Sequence, residues 1–163
     1  MNIHEEKDTD INQITEIHNQ AFNAPDEGEI VANLRMNKKL IVSLVCELNG
    51  KVVGHIAYSP IVIDQKNIGL GLAPLAVLPD NQNQGIGSEL IRQGNCVALS
   101  KGYKKIFVLG YPDYYSRFGF KLAKEYNYFS KIDPEGDHFM VMGSHLEKQF
   151  EKVVVNYCEE FSG

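Results

Sequence analysis

The residues with the clearest chemical potential lie in one short stretch, where an apolar run ends in a glycine-containing turn. The run covers Leu70–Leu78, and after Pro79 and Asp80 the chain reads Gln82-Asn-Gln-Gly-Ile-Gly87 before an amphipathic segment begins. A buried strand that re-enters as a helix through closely spaced glycines presents several unpaired backbone N–H groups at one point. The spacing therefore predicts an anion site at the start of that helix.

The residues around the glycines narrow the choice of anion. A P-loop needs Lys and then Ser or Thr directly after its last glycine, whereas Gly87 is followed by Ser88 and Glu89, so an NTPase is excluded. A dinucleotide-binding turn needs three glycines and an acidic residue about 20 positions later. The chain has no Asp or Glu between Glu89 and Asp113, which argues against that type of site.

A third pattern, Gln/Arg-x-x-Gly-x-Gly/Ala behind a strand, is matched by Gln82, Gly85 and Gly87. Here the chain resembles the GNAT superfamily of acyl-CoA-dependent N-acyltransferases, and within it the small YhbS-like group. Two segments carry the similarity, Leu72–Pro79 and Phe107–Phe120. The resemblance extends from about Asn49-Gly50 to Phe120, and outside that range it is limited to the order of the elements.

The resemblance implies acetyl-CoA as acyl donor and co-substrate, with no metal ion. Its diphosphate would lie on the turn and first helical residues, and because Gln82 replaces a common Arg, backbone donors and the helix dipole would supply more of the affinity. Pro74 lies where GNAT folds splay two parallel strands apart, freeing main-chain groups for the pantetheine arm. An N–H near Ala76 or Val77 would polarise the thioester carbonyl. The implied donor-binding residues are Leu75, Ala76, Val77, Gln82, Asn83, Gln84, Gly85, Ile86, Gly87 and Ser88.

Tyr115 matches the tyrosine of the family ending Phe-Tyr-x-x-x-Gly-Phe, which reads here Tyr114-Tyr-Ser-Arg-Phe-Gly-Phe120. Amine attack on a thioester ends by expelling a thiolate, so the resemblance implies that Tyr115 is the acid that stabilises the leaving group. Proton transfer from a phenol of pKa about 10 to a thiolate, whose thiol has a pKa of about 8.5, is uphill by roughly 2 kcal/mol. Tyr114 is the alternative acid, and Arg117 is a candidate contact for a CoA phosphate.

The base that deprotonates the substrate ammonium is less defined by the sequence. Glu27 and Glu29 open a short helix and could face the acceptor, although acidic residues at a helix N-terminus also stabilise the helix dipole. We select Glu29 as the candidate base. His55 is a second candidate, but its place on a strand favours a hydrogen-bonded residue within the sheet.

The elements that must position these residues follow from periodicity. Helical spacing predicts a helix over Ile11–Phe22 that ends at Asn23-Ala-Pro25, and a shorter one over Glu29–Met36. Asn49-Gly50 predicts a type I′ hairpin between strands Leu40–Leu48 and Val52–Ser59. A strand up to Leu78, a helix over Gly85–Ser100 and a strand over Lys105–Gly110 form a βαβ unit with adjacent parallel strands. Helical turns over Asp113–Phe118 and strands near Phe139–Met142 and Lys152–Tyr157 complete the prediction.

This order of elements predicts a mixed α/β fold. The resemblance adds a GNAT-like architecture, in which a mixed, mostly antiparallel sheet with a splayed parallel pair is flanked by helices. The whole chain, 1–163, is expected to form one domain.

Composition limits the partners. The formal net charge of −5 argues against a nucleic-acid binder, and no apolar run reaches the roughly 18 residues of a membrane span. Three widely spaced cysteines, Cys46, Cys96 and Cys158, show no zinc spacing and are interpreted as reduced, small apolar fillers of a cytoplasmic protein. The expected partners are acetyl-CoA and an unidentified amine, and a homodimer is left open.

Two other functions stay open at this point. A non-catalytic CoA sensor or interaction module could use the same fold, and a generic α/β nucleotide binder could use the same turn. Release of free CoA thiol in the presence of amines would distinguish an enzyme from a CoA sensor. Protection against thermal unfolding by ATP or NAD, and not by CoA, would indicate the nucleotide binder.

Overall fold

The computed structural model describes residues 1–63 and 66–162. These fall into two compact units, Met1–Ser59 with Ala73–Val97 and Pro60–Leu72 with Ala98–Gly163. The helices and strands, in chain order, are β1 (Asn2–Glu5), α1 (Ile11–Phe22), α2 (Asp26–Met36), β2 (Val42–Leu48), β3 (Lys51–Ile63), β4 (Lys66–Val77), α3 (Ile86–Ser100), β5 (Lys105–Leu109), α4 (Pro112–Tyr115), β6 (Lys121–Leu122), β7 (Tyr128–Phe129), β8 (Phe139–Gly143) and β9 (Val153–Val154). The expectation of a single domain stays a prediction.

Hydrogen bonding joins seven strands in the order β1-β2-β3-β4-β5-β8-β6, and β7 pairs with β9 in a second small sheet. Pairing is antiparallel between β1 and β2, β2 and β3, β5 and β8, and β6 and β8, whereas β4 and β5 run parallel. The prediction of a mixed, mostly antiparallel sheet with one parallel pair and flanking helices is confirmed. The parallel pair is the one expected on either side of the crossover helix.

The hairpin between β2 and β3 forms as the sequence predicts. Asn49 and Gly50 both adopt positive φ, 51° and 79°, and Leu48 pairs with Lys51. Positive φ at both central residues is the requirement of a type I′ turn, and it matches the twist of the flanking strands.

Several elements differ from the predictions. Strand β1 was not predicted, because Asn2–Glu5 is polar and forms through pairing with β2 rather than by intrinsic preference. Helix α2 begins at Asp26, three residues before Glu29, since its acidic first turn follows Pro25 at the N-cap. The predicted strand over Lys152–Tyr157 is wrong beyond the two residues of β9, and the surrounding chain is irregular.

Helix α3 lies close against β3 because glycines remove the side chains at the contact. A Cβ at Gly54 would lie 3.0 Å from Ile86 Cγ2, and one at Gly94 would lie 2.5 Å from the Tyr58 hydroxyl. That hydroxyl donates to Asn95 Oδ1 at 2.7 Å, and the Tyr58 side chain is fully buried. These contacts fix the helix, and therefore its N-terminus, relative to β3.

The second unit has its own aromatic core. Phe107 on β5 stacks on Phe139 of β8 with ring centroids 5.4 Å apart, and it meets Tyr128 edge-on at 5.3 Å. Ile61, Val141 and Val155 pack in the same cluster. No helix among the described residues is long and apolar enough to cross a membrane.

Candidate functional site

The predicted anion site lies at the N-terminus of α3, in the first unit. Asn83 and Gly85 adopt left-handed φ values of 62° and 84°, and the helix begins at Ile86. The helical hydrogen bond from Glu89 N–H to Gly85 O is 3.1 Å long, and the amides of the first turn have no carbonyl four residues back within the helix. Successive backbone N–H groups in a turn that leads into a helix form a concave anion site.

The exposure of the turn agrees with ligand binding. Gln82, Asn83, Gln84 and Gly85 are exposed to solvent, whereas the Ile86 side chain is buried on the sheet. The turn therefore offers its backbone to solvent while Ile86 anchors it.

The Gln82 side chain faces back toward the strand. Its amide Nε2 donates to Val77 O at 3.1 Å, which ties the turn to the end of β4. The Gln84 amide donates to Asp80 O at 3.4 Å, within the same turn. Both side chains therefore stabilise the turn conformation.

The strand residues expected to contact the pantetheine arm lie at the end of β4. Ala76 is buried, and Leu75 and Val77 on either side of it are half-buried. After the strand, Leu78 N–H donates to Val53 O at 2.8 Å, so this end of the strand is held by β3. Pro74 lies just before these residues, and the Ala73–Pro74 peptide is cis.

Tyr115 lies in the second unit, at the end of the short helix α4. Its ring packs on Gly110, where a Cβ would come within 2.2 Å of the ring, and it meets Phe120 edge-on at 5.7 Å. Burial, and then the neighbouring Tyr114 hydroxyl, raise the pKa of Tyr115 to about 12. The phenol therefore keeps its proton at neutral pH.

The two other candidates from this segment, Tyr114 and Arg117, pack on neighbouring aromatic rings. Tyr114 meets the Tyr115 ring edge-on at 5.1 Å. The Arg117 guanidinium lies over the Tyr114 ring at 5.1 Å and near Phe118 at 5.6 Å. Cation–π packing accounts for the position of Arg117.

The acidic candidates lie in the first turn of α2. Glu29 is exposed, as expected for a charge that stabilises the helix N-terminus. Glu27 is half-buried, and its Oε2 atom is inaccessible to solvent without a hydrogen-bond partner among the described residues. An unpaired buried carboxylate oxygen is costly, and this oxygen distinguishes Glu27 from the exposed Glu29.

His55 is part of a buried polar network in the first unit. His18 Nε2 and His55 Nδ1 are 2.8 Å apart, and both rings have no exposed surface. His55 Nε2 lies 2.8 Å from the Ser43 hydroxyl, which donates to Glu6. Burial lowers the pKa of both histidines, for His18 to about 4. The interpretation of His55 as a hydrogen-bonded residue of the sheet is confirmed.

The cysteines only partly fit their predicted role as fillers. Cys46 is buried, and burial raises the pKa of its thiol. Cys158 is half-buried, and Cys96 is exposed on α3, so the prediction is wrong for Cys96.

Sequence reasoning missed Tyr157. Its hydroxyl donates to Leu72 O of β4 at 3.1 Å, and it borders an open pocket of about 280 Å³ formed with Ser130, Lys131, Asn156 and Phe161. The sequence predicts only a terminal strand at Tyr157; its place is fixed by the bond to Leu72 O and by Gly71, which leaves room for the ring.

Comparison with known proteins agrees with this geometry. Residues 40–122 match the family described as acetyltransferase (GNAT) domain. The uncharacterized N-acetyltransferases YjhQ and YhbS of Escherichia coli K12 are 35% and 34% identical over 119 and 110 residues, which cover 69% and 66% of this chain. The matched regions span 65% and 66% of those relatives, just under two thirds of their length.

Two solved structures resemble nearly the whole chain. The Escherichia coli YhbS structure in complex with CoA has a TM-score of 0.91 and 28% identity, covering 99% of this chain and 92% of that one. A GNAT acetyltransferase from Brucella melitensis in complex with acetyl-CoA has a TM-score of 0.82 and 34% identity, covering 98% and 97%. With its glycine turn, its parallel strand pair and these similarities, the chain belongs to the GNAT acetyltransferase family.

Proposed function

We propose that the protein is an acetyl-CoA-dependent N-acetyltransferase that transfers the acetyl group directly to a primary amine in a ternary complex. The observation that carries the proposal is the α3 N-terminus, where the left-handed residues Asn83 and Gly85 present an exposed backbone turn. Family membership, and two similar structures that hold CoA or acetyl-CoA, support a CoA diphosphate as the ligand of that turn.

The donor-binding residues fit the chemistry of CoA. Backbone amides and the positive end of a 15-residue helix suit a diphosphate without requiring a lysine. The pantetheine arm, which has two amides, would pair with main-chain groups along β4 from Leu75 to Val77, in the manner of an added strand. In the bound state, an N–H at Ala76 or Val77 would polarise the thioester carbonyl.

The reaction has a simple balance. The substrate ammonium loses a proton to a base, and the amine nitrogen then attacks the thioester carbon. The C–N bond forms and the nitrogen loses its second proton to solvent, while the C–S bond breaks and the CoA thiolate leaves and takes up a proton from solvent. We propose Glu27 as the base because of its unpaired buried oxygen, with the exposed Glu29 as the alternative.

Tyr115 is proposed to act on the leaving sulfur. With its pKa at about 12, full proton transfer to a thiolate of pKa about 8.5 would be uphill by about 5 kcal/mol. The phenol is therefore proposed to donate a hydrogen bond to the sulfur as negative charge develops, and solvent supplies the final proton.

Calorimetry and a thiol-release assay test the proposal together. We expect acetyl-CoA to bind, and we expect a panel of amines to include one that releases free CoA thiol. Tyr115→Phe should retain binding and lose at least about tenfold in kcat, whereas Tyr114→Phe, which removes a neighbouring hydroxyl, should stay within about twofold of wild type. Binding with no thiol release for any amine would instead indicate a CoA-binding module without catalysis.

We also propose where the protein is located and which partners it lacks. We place it in the cytoplasm, with neither nucleic acid nor a membrane as partner, because of its acidic charge and its three widely spaced cysteines. A homodimer is a further proposal, and sedimentation of the purified protein tests it.

A further inference from the structure

The parallel ladder between β4 and β5 stops abruptly in the second unit. Leu70 pairs with Ile106 and Gly71 with Phe107, and Gly71 and Phe107 are the last paired residues described. Continuing this register would place Leu72 opposite Val108, and the next ladder bond would run from Leu109 N–H to Leu72 O. That bond is replaced by a side chain.

The side chain is Tyr157. Its hydroxyl donates to Leu72 O at 3.1 Å, and it accepts a backbone hydrogen bond from Leu109. One phenol therefore bonds to both groups that would otherwise bond to each other. We call this arrangement of Leu72, Leu109 and Tyr157 the β4–β5 fork.

The fork is built by complementary residues. A Cβ at Gly71 would lie 2.0 Å from Tyr157 Cε1, so the ring occupies space that any other residue at position 71 would fill. The ring also packs on Phe161 with centroids 4.9 Å apart, and Tyr157 forms an isolated bridge with Ile61 of β3. The hydroxyl is thus held between the strands by packing on several sides.

The fork also has a neighbour with a proposed chemical role. Burial raises the pKa of Tyr157, and the nearby Tyr115 hydroxyl raises it further because two phenolates at this distance would repel each other. Both phenols therefore keep their protons. The single O–H of Tyr157 is used in the bond to Leu72 O, so of the two phenols only Tyr115 is left to donate to a sulfur that gains negative charge.

Building on the acetyltransferase function proposed above, we propose that Tyr157 is a positioning residue that ends the β4–β5 ladder and so keeps open the place where the acetyl thioester binds. Removing its hydroxyl leaves Leu72 O and Leu109 N–H without a partner, and direct bonding between them would close the fork. The loss should then fall on the acyl end of the donor and leave its nucleotide end unaffected.

Calorimetry with two ligands tests this. Acetyl-CoA reports on the whole donor, and adenosine 3′-phosphate 5′-diphosphate carries the same nucleotide and diphosphate without a pantetheine arm. For Tyr157→Phe we expect acetyl-CoA to bind at least about tenfold more weakly and the nucleotide to bind as in wild type. Tyr128→Phe, which removes a hydroxyl from the core of the same unit, should bind both ligands normally.

A second variant covers the case in which Tyr157→Phe does not fold. Phe161 is half-buried at the surface of the unit, and Phe161→Ala removes only the packing behind the Tyr157 ring. It should show the same selective loss for acetyl-CoA, smaller in size.

The other outcomes are distinct. Wild-type affinity for acetyl-CoA in Tyr157→Phe overturns the inference, and so does an equal loss for both ligands, which would indicate a purely structural role. If wild-type protein binds neither ligand, the proposed function itself fails and takes this inference with it.

Discussion

Acid should destabilise this protein through His18. The ring is fully buried on α1, where it bonds to His55 through Nε2 and stacks on Phe22 with centroids 6.0 Å apart. Its Nδ1 atom has no hydrogen-bond partner among the described residues. Burial, and to a lesser extent the Arg35 charge, lower the pKa of His18 from 6.5 to about 4.

The sign and size of the effect follow from linkage. Between about pH 6.5 and pH 4 the unfolded chain binds a proton at His18 that the folded chain does not. The free energy of unfolding therefore decreases as the pH is lowered through this range. The stability is complete above the unfolded pKa of 6.5 and is fully lost below about 4. A difference of about 2.5 pKa units corresponds to about 3.4 kcal/mol, of which about 2 kcal/mol is lost by pH 5. His55, whose pKa is also lowered, acts in the same direction.

Urea unfolding at about pH 7.5 and about pH 5 measures this loss. His18→Gln keeps a polar side chain beside His55 but cannot titrate, so its stability should fall about 2 kcal/mol less than that of wild type between the two pH values. His145→Asn is the matched control, since His145 is exposed at a positive φ of 57°, which Asn adopts readily. An unchanged pH dependence in His18→Gln would refute the reasoning.

Three further predictions concern the helix and the base. Gly85→Ala places an alanine at a left-handed φ of 84°, which costs about 1–2 kcal/mol of conformational free energy. Calorimetry should therefore show weaker CoA binding. An unaltered affinity would count against the turn as the diphosphate site. Gly94→Ala places a Cβ 2.5 Å from the buried Tyr58 hydroxyl and should lower the free energy of unfolding by about 1–3 kcal/mol in urea, whereas wild-type stability would show that the helix can shift freely. Glu27→Gln should reduce kcat at least about tenfold with the donor affinity unchanged, and Glu29→Gln should have little effect; the reverse order would identify Glu29 as the base.

The predictions from sequence were accurate where local chemistry determines the conformation. Asn49-Gly50 has one favoured turn, and the apolar run before Gly85 and the amphipathic run after it could form a strand and a helix only. The helix over Gly85–Ser100 is found one residue shorter, as Ile86–Ser100. The helical turns predicted over Asp113–Phe118 were also confirmed, and Gly119 follows them with a φ of 92°.

The features that the sequence did not predict depend on contacts between residues far apart in the chain. His18 lies in an apolar helical stripe, and nothing local indicates that it bonds to a residue 37 positions away. The Tyr157 hydroxyl bonds to a carbonyl 85 positions away, beside the paired strands β4 and β5. Glu27 and Glu29 are equivalent in sequence, and only burial separates them.

The central claim is that the turn at the start of α3 holds the diphosphate of an acetyl-CoA donor. Titration calorimetry of the intact chain with acetyl-CoA tests it most directly, with Gly85→Ala as the paired variant. The account predicts one acetyl-CoA per chain at a Kd of about 1–100 μM, equivalent to about −8 to −5.5 kcal/mol, and a clear loss of affinity in the variant. An absence of binding by the wild-type chain up to high micromolar acetyl-CoA would contradict it.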